Sequence, residues 1–87
     1  MAENIRYLIF GRSSCPFCIH ALDYCESRPL DHVFFDHETK QHILEEYKQY
    51  YNHETVPIIL ENNKDTGYTR KIGGYSELIA ETTPKKG

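Results

Sequence analysis

A short apolar segment running directly into a Cys-x-x-Cys helix start constrains this chain more than any other feature. Ile5 to Phe10 is mostly apolar, carries Tyr, Ile and Phe, and reads as a buried strand. Gly11-Arg12-Ser13-Ser14 breaks it. Pro16 suits the first position of a helix, where its fixed φ helps and its missing N–H is no loss. Cys18, Ala21, Leu22 and Cys25 then fall at i, i+3, i+4 and i+7 on one helical face, and Arg28-Pro29 stops the helix. Val33-Phe34-Phe35 forms a second short strand ending in Asp36-His37. Strand, helix and strand in succession imply a parallel pair joined by a right-handed crossover.

The remainder supplies the other half of a sheet. Thr39 is placed to cap a second helix, with Ile43, Leu44 and Tyr47 as its apolar stripe and Asn52-His53 as its end. Tyr47, with Tyr50 or Tyr51, falls at core and rim positions of that helix. Pro57-Ile58-Ile59-Leu60 reads as a third strand. Asn62 to Gly67 is a polar turn, so a hairpin returns through Tyr68 to Ile72. Gly73-Gly74 ends that strand, and Ser76 is placed to cap a last helix through Ala80. The expected fold is α/β: a four-stranded mixed sheet flanked by three helices in the order βαβ-α-ββα, which resembles the thioredoxin-like arrangement. The length of 87 residues suits one domain, 1–87, and not two. Residues 83–87, with Lys85-Lys86, read as a frayed tail.

Charge narrows the function classes. The net charge of −3 comes without a basic cluster, so nucleic acid is not an expected partner. Tyr7-Leu8-Ile9-Phe10, the longest apolar run near the start, is far too short for an export signal or a membrane span. The expected location is the reducing cytoplasm, where structural disulfides are rare. Three cysteines, two of them in a Cys-x-x-Cys pair, therefore read as redox-active or metal-binding. A closed zinc site needs four ligands. His20 and Cys25 are the nearest further candidates, and Cys25 shares a helix with Cys18 two turns away, so no metal is expected. Redox chemistry needs a thiolate. Cys15 precedes a helix, where unpaired N–H groups and the dipole favour a negative charge, and Arg12 adds a positive one. Cys15 is thus the expected nucleophile, with a lowered pKa, and Cys18, one turn on, the resolving thiol. Cys25 reads as a packed small hydrophobe. Most of the five histidines read as solvated, with His20 close enough to act on the active-site field.

The combination of motifs resembles the glutaredoxin family, and most closely its bacterial dithiol members. Ile9-Phe10-Gly11-Arg12-Ser13-Ser14-Cys15-Pro16-Phe17-Cys18, Glu54-Thr55-Val56-Pro57 and Ile72-Gly73-Gly74-Tyr75-Ser76 carry the likeness, in order and suitably separated. The resemblance implies a monomeric glutathione-dependent oxidoreductase that reduces glutathionylated and disulfide-containing proteins, with ribonucleotide reductase as an electron acceptor. It implies a cis Pro57 facing the thiols. It also implies glutathione contacts from Val56, with Thr55 and Pro57 beside it, to the cysteinyl part, from Gly74, Tyr75, Ser76 and Glu77 to the γ-glutamyl end, from Arg12 to the glycyl carboxylate, and from Phe17 as an aromatic wall. Phe17 replaces a common Tyr, and Glu77 a common Asp. A glutathione-independent, thioredoxin-like reductase and an iron–sulfur cluster-bridging dimer are the alternatives. Arg12 with the Gly-Gly-Tyr-Ser turn weighs against the first, and Pro16, where cluster binders carry a small residue, against the second.

Overall fold

The computed structural model describes residues 4–83 of the chain. Its elements run β1 (Ile5–Gly11), α1 (Pro16–Ser27), β2 (His32–Asp36), α2 (Gln41–Tyr50), β3 (Ile58–Asn63), β4 (Thr69–Gly73) and α3 (Tyr75–Thr82). The strands form one mixed sheet in the order β2-β1-β3-β4. β1 and β2 are parallel, in register from Tyr7 with His32 to Gly11 with Asp36. β3 lies antiparallel to both β1 and β4. The order of elements and the thioredoxin-like fold are those expected from the sequence.

Alternation along the central strands builds two cores. Tyr7 and Ile9 of β1 and Ile59 of β3 point to one face, where they pack with Ala21 and Cys25 of α1 and Leu78 of α3. Phe10, Ile58 and Leu60 point to the other, against Leu44 of α2. This is the period-2 reading of a strand buried on both faces. Burying a Leu, Ile or Phe side chain contributes about 1.5–3 kcal/mol, so the sheet's centre is held from both sides. β1 can then present its C-terminal end, Gly11, as a rigid base for the cysteine loop.

Several boundaries differ from the sequence reading, each for a local reason. β3 continues through Asn62 and Asn63 before the turn. Asn62 is buried because its amide is satisfied on both sides, accepting from Arg6 Nε at 3.0 Å and donating to Thr69 Oγ1 at 2.8 Å. Asn63 Oδ1 then accepts from the N–H groups of Asp65 and Thr66, which shapes the turn itself. Lys40, not Thr39, holds the N-cap position of α2, with no side-chain capping bond. Gly74, not Ser76, holds that of α3, which runs beyond Ala80 to Thr82. Tyr47 and Tyr51 pack on the second core, whereas Tyr50 is exposed. Thr83 caps α3, and the rest of the expected tail, 84–87, lies outside the described residues. Among the described residues, no helix is long and apolar enough to cross a membrane.

Candidate active site

Cys15 sits at the N-cap of α1, in extended conformation, with Pro16 as the first helical residue. Its own N–H is turned back to the Arg12 carbonyl at 3.1 Å, which closes the loop. The thiol is 7% exposed, so burial works against its ionisation more than any other single influence. The Cys18 N–H, the Cys18 thiol, the Phe17 N–H and the Arg12 guanidinium together outweigh that penalty and hold the Cys15 thiol below its ordinary pKa. One turn later, Cys18 is fully buried. Burial is the main cause that pushes its thiol up to about 12, with further opposition from the Cys15 thiol beside it. Two cysteines three residues apart are thereby split into a more acidic thiol and a stored one.

The close approach of β1 explains where the Cys18 sulfur goes. A Cβ on Gly11 would stand 2.3 Å from Cys18 Sγ, so the sulfur occupies the space that the glycine leaves free. The Arg12 N–H, 3.4 Å away, donates to it there. Two acidic residues, one ending β2 and one just past it, secure the loop from outside. Asp36 Oδ1 accepts from the N–H groups of Ser13 (3.1 Å) and Glu38 (3.0 Å). Glu38 Oε1 accepts from the Ser14 N–H (3.0 Å) and hydroxyl (2.8 Å). These loop anchors, Asp36 and Glu38, carry no signal in the sequence beyond being acids in a connection.

A groove of about 370 Å³ opens at Phe17, which lies between the two cysteines in sequence. Phe17, 59% exposed, stands at its thiol end. Thr55, Val56 and Pro57 form one side, with the Val56–Pro57 peptide cis as the resemblance implies. Gly74, Tyr75, Ser76 and Glu77 form the other, at the start of α3. The N–H groups of Tyr75 and Ser76 belong to the first helical turn, which has no intrahelical acceptors for them and favours an anion. Glu77 turns back so that Oε1 accepts from the Gly74 N–H at 2.8 Å. That bond, followed by the Glu77 N–H, the Ser76 hydroxyl and the charge of His53, holds its carboxyl below the usual range. Gly73, at φ 133, allows this fold-back, since a Cβ there would meet Glu77 Cγ at 2.8 Å. Phe17, His20 and Tyr75 make an aromatic rim with ring centroids 5.8 to 6.4 Å apart.

The structure therefore brings eight of the nine expected ligand contacts to one groove. Arg12 is the exception: it is partly buried and, like Cys15 and Cys18, is not among the residues lining the groove. His53 lines the groove and is partly buried, against the expectation that most of the histidines are solvated. Its one signal was its place two residues before Thr55. His32 and His37 are also partly buried, through bonds of their Nδ1 atoms with the Leu30 and Phe35 carbonyls. Cys25 is fully buried, with its thiol pushed up to about 11 mainly by burial, as a packed hydrophobe would be. No cluster of three metal-ligating side chains occurs among the described residues.

Residues 8–65 match the family model described as Glutaredoxin. The chain belongs to the glutaredoxin family, a class of thiol–disulfide oxidoreductases that use glutathione as reductant. The solved structure of reduced Escherichia coli glutaredoxin is 28% identical, with a TM-score of 0.63 over 88% of this chain and 95% of that one. Glutaredoxin 1 from Francisella tularensis, solved with cacodylate, is 24% identical, with a TM-score of 0.57 over 88% and 91%. The likeness to the second bears on the fold alone. No curated protein sequence matches the chain.

Proposed function

We propose that this chain is a glutathione-dependent oxidoreductase that reduces protein–glutathione mixed disulfides through Cys15, and protein disulfides through Cys15 and Cys18. The observation that carries the reading is a lowered Cys15 thiol, two residues before Phe17 of the groove wall, together with a ligand-sized groove ending at the anion-favouring start of α3. In the first half-reaction the Cys15 thiolate attacks the glutathionyl sulfur of the mixed disulfide. The protein thiolate leaves and takes up a proton, and Cys15 becomes glutathionylated. A second glutathione thiolate then attacks the glutathionyl sulfur, forming glutathione disulfide and restoring the Cys15 thiolate. In the dithiol route, the mixed disulfide between Cys15 and a protein substrate is attacked by Cys18. Cys18 must first lose its proton, which its burial opposes.

Thr55, Val56, Gly74, Tyr75, Ser76 and Glu77 are assigned to glutathione's peptide backbone and γ-glutamyl end, and Phe17 to its thiol-proximal wall. Arg12 is assigned to the glycyl carboxylate, and its charge also favours the Cys15 thiolate. The partners in this reading are glutathione and disulfide-bearing proteins in the cytoplasm, with ribonucleotide reductase as one electron acceptor. The protein works as a monomer and without a metal. The test is turnover of a glutathionylated peptide by glutathione, coupled to glutathione reductase and NADPH. Glutathione-dependent turnover is expected, and its absence with native protein would remove the reading in favour of a reductase served by another donor.

A further inference from the structure

Among the described residues, Nε2 of His53 is the buried side-chain nitrogen or oxygen left without a hydrogen-bond partner. Buried polar atoms in native folds are nearly always paired, so this one calls for an explanation. The backbone around it is fixed: Asn52 takes a left-handed conformation (φ 52), and the His53 N–H donates to the Lys48 carbonyl at 2.9 Å. The ring is held against the groove wall. Nε2 lies 3.7 Å from the point where a Gly74 Cβ would stand, and Glu77 Oε1 lies 3.3 Å from the same point. An acid and an imidazole thus flank one vacancy, beside the free N–H groups of Tyr75 and Ser76.

A ligand group matching that arrangement carries an ammonium and a carboxylate on one carbon, which is the free α-amino acid head of a γ-glutamyl peptide. We propose that His53 is a further binding residue of this groove, whose Nε2–H donates to the γ-glutamyl carboxylate while Glu77 receives the ammonium. The proposal rests on the glutathione reading above and adds a residue and a selectivity to it. In the empty groove Nε2 is closed off from water. It meets the carboxylate by a turn of the ring about χ2, a soft torsion in histidine, as the head group settles over Gly74. Thiols that lack this head, such as cysteinylglycine, leave Nε2 unpaired and are discriminated against.

The test compares wild type, His53→Phe and His53→Gln on one fluorescent peptide carrying either glutathione or cysteinylglycine in mixed disulfide. The single-turnover release of the peptide thiol is followed against substrate concentration. His53→Phe keeps ring volume without a polar atom, and should raise the half-saturating concentration for the glutathionyl peptide about tenfold, the weight of one hydrogen bond to a charged group. His53→Gln should recover most of that loss, and the cysteinylglycyl peptide should not distinguish the three proteins. Equal losses on both peptides, or none on either, would overturn the assignment. If wild type itself fails to prefer the glutathionyl peptide, the glutathione reading falls with it; if wild type prefers it and His53→Phe prefers it to the same degree, His53 alone is excluded. Should His53→Phe not fold, imidazole ¹⁵N spectra of the Cys18→Ser protein, reduced and trapped as its glutathione mixed disulfide, decide the matter. The His53 Nε2 resonance is expected to shift on trapping, and an unmoved resonance overturns the proposal.

Discussion

Gly11→Ala is the substitution whose outcome tests the layout of the two thiols most directly. The added Cβ would stand 2.3 Å from Cys18 Sγ, 3.1 Å from Cys18 Cβ and 3.6 Å from Phe34 Cε1. Contacts under 3 Å do not persist, so Sγ must leave its place behind β1 and give up the Arg12 N–H. Overpacking of this kind costs about 1–3 kcal/mol, and a glycine in a strand gives back roughly 0.5–1 kcal/mol when replaced by alanine. The net loss should be about 1–2 kcal/mol, or roughly 5–15 °C in Tm for a domain of this size. Urea denaturation of the reduced protein measures it, and repeating the substitution in a Cys18→Ala background completes a double-mutant cycle. With no sulfur to displace, the penalty should shrink to about zero, leaving a coupling energy on the order of 1 kcal/mol or more. An equal penalty in both backgrounds would refute the clash as the cause. The displaced Cys18 should also leave Cys15 without its thiol neighbour, so reduction of protein disulfides should fall further than deglutathionylation.

Three other outcomes are expected. Cys15→Ser should abolish turnover of a glutathionylated peptide while Cys18→Ser retains it, because the second half-reaction needs only outside thiol; activity in Cys15→Ser would assign the nucleophile elsewhere. Stability of the reduced protein should fall as pH rises above 9: the unfolded Cys25 thiol ionises near 9 while the folded one holds its proton to about 11, so the unfolded state binds fewer protons across that window. At about 1.36 kcal/mol per unit this approaches 3 kcal/mol by pH 11, and chemical denaturation of Cys25→Ala beside wild type should show the extra slope in wild type alone. Glu77→Ala removes the bond to the Gly74 N–H and should cost about 1 kcal/mol of stability. Glu77→Gln keeps an acceptor there, so it should hold Tm while still raising KM for the glutathionyl substrate.

How far the sequence could be read depended on whether a residue's role was written in its local pattern. The Cys15-Pro16 helix start, the alternating faces of Tyr7 to Phe10 and the strand after Pro57 were legible because propensity, period and packing agree there. Asn62 and Asn63 misread as turn because a polar amide in a strand makes sense only with Arg6 and Thr69 in view, far off in sequence or across the hairpin. Ser76 misread as a cap because Gly74 has no side chain to announce itself, and the bond to its N–H comes from Glu77 three residues later. His53 was least legible of all. Its meaning lies in a missing partner, which no pattern of residue types can display.

The chemistry follows from an asymmetry that the Cys-x-x-Cys spacing alone does not contain. Both thiols are buried, and burial by itself would raise both pKa values. What separates them is the deeper burial of Cys18 together with the supply of N–H groups. Cys15, at the helix start, faces the unpaired N–H groups of Phe17 and Cys18. Cys18, inside the first turn, has one donor, the Arg12 N–H, reached by sinking into the space above Gly11. The Cys18 thiol then does two things for its neighbour. As a protonated donor it stabilises the Cys15 thiolate, and as a buried group it stays out of reach of solvent oxidants until Cys15 holds a mixed disulfide. Forming that disulfide discharges the Cys15 anion and removes the negative charge opposing ionisation of Cys18. The resolving thiol is thus released toward its reactive form by the step that creates the need for it.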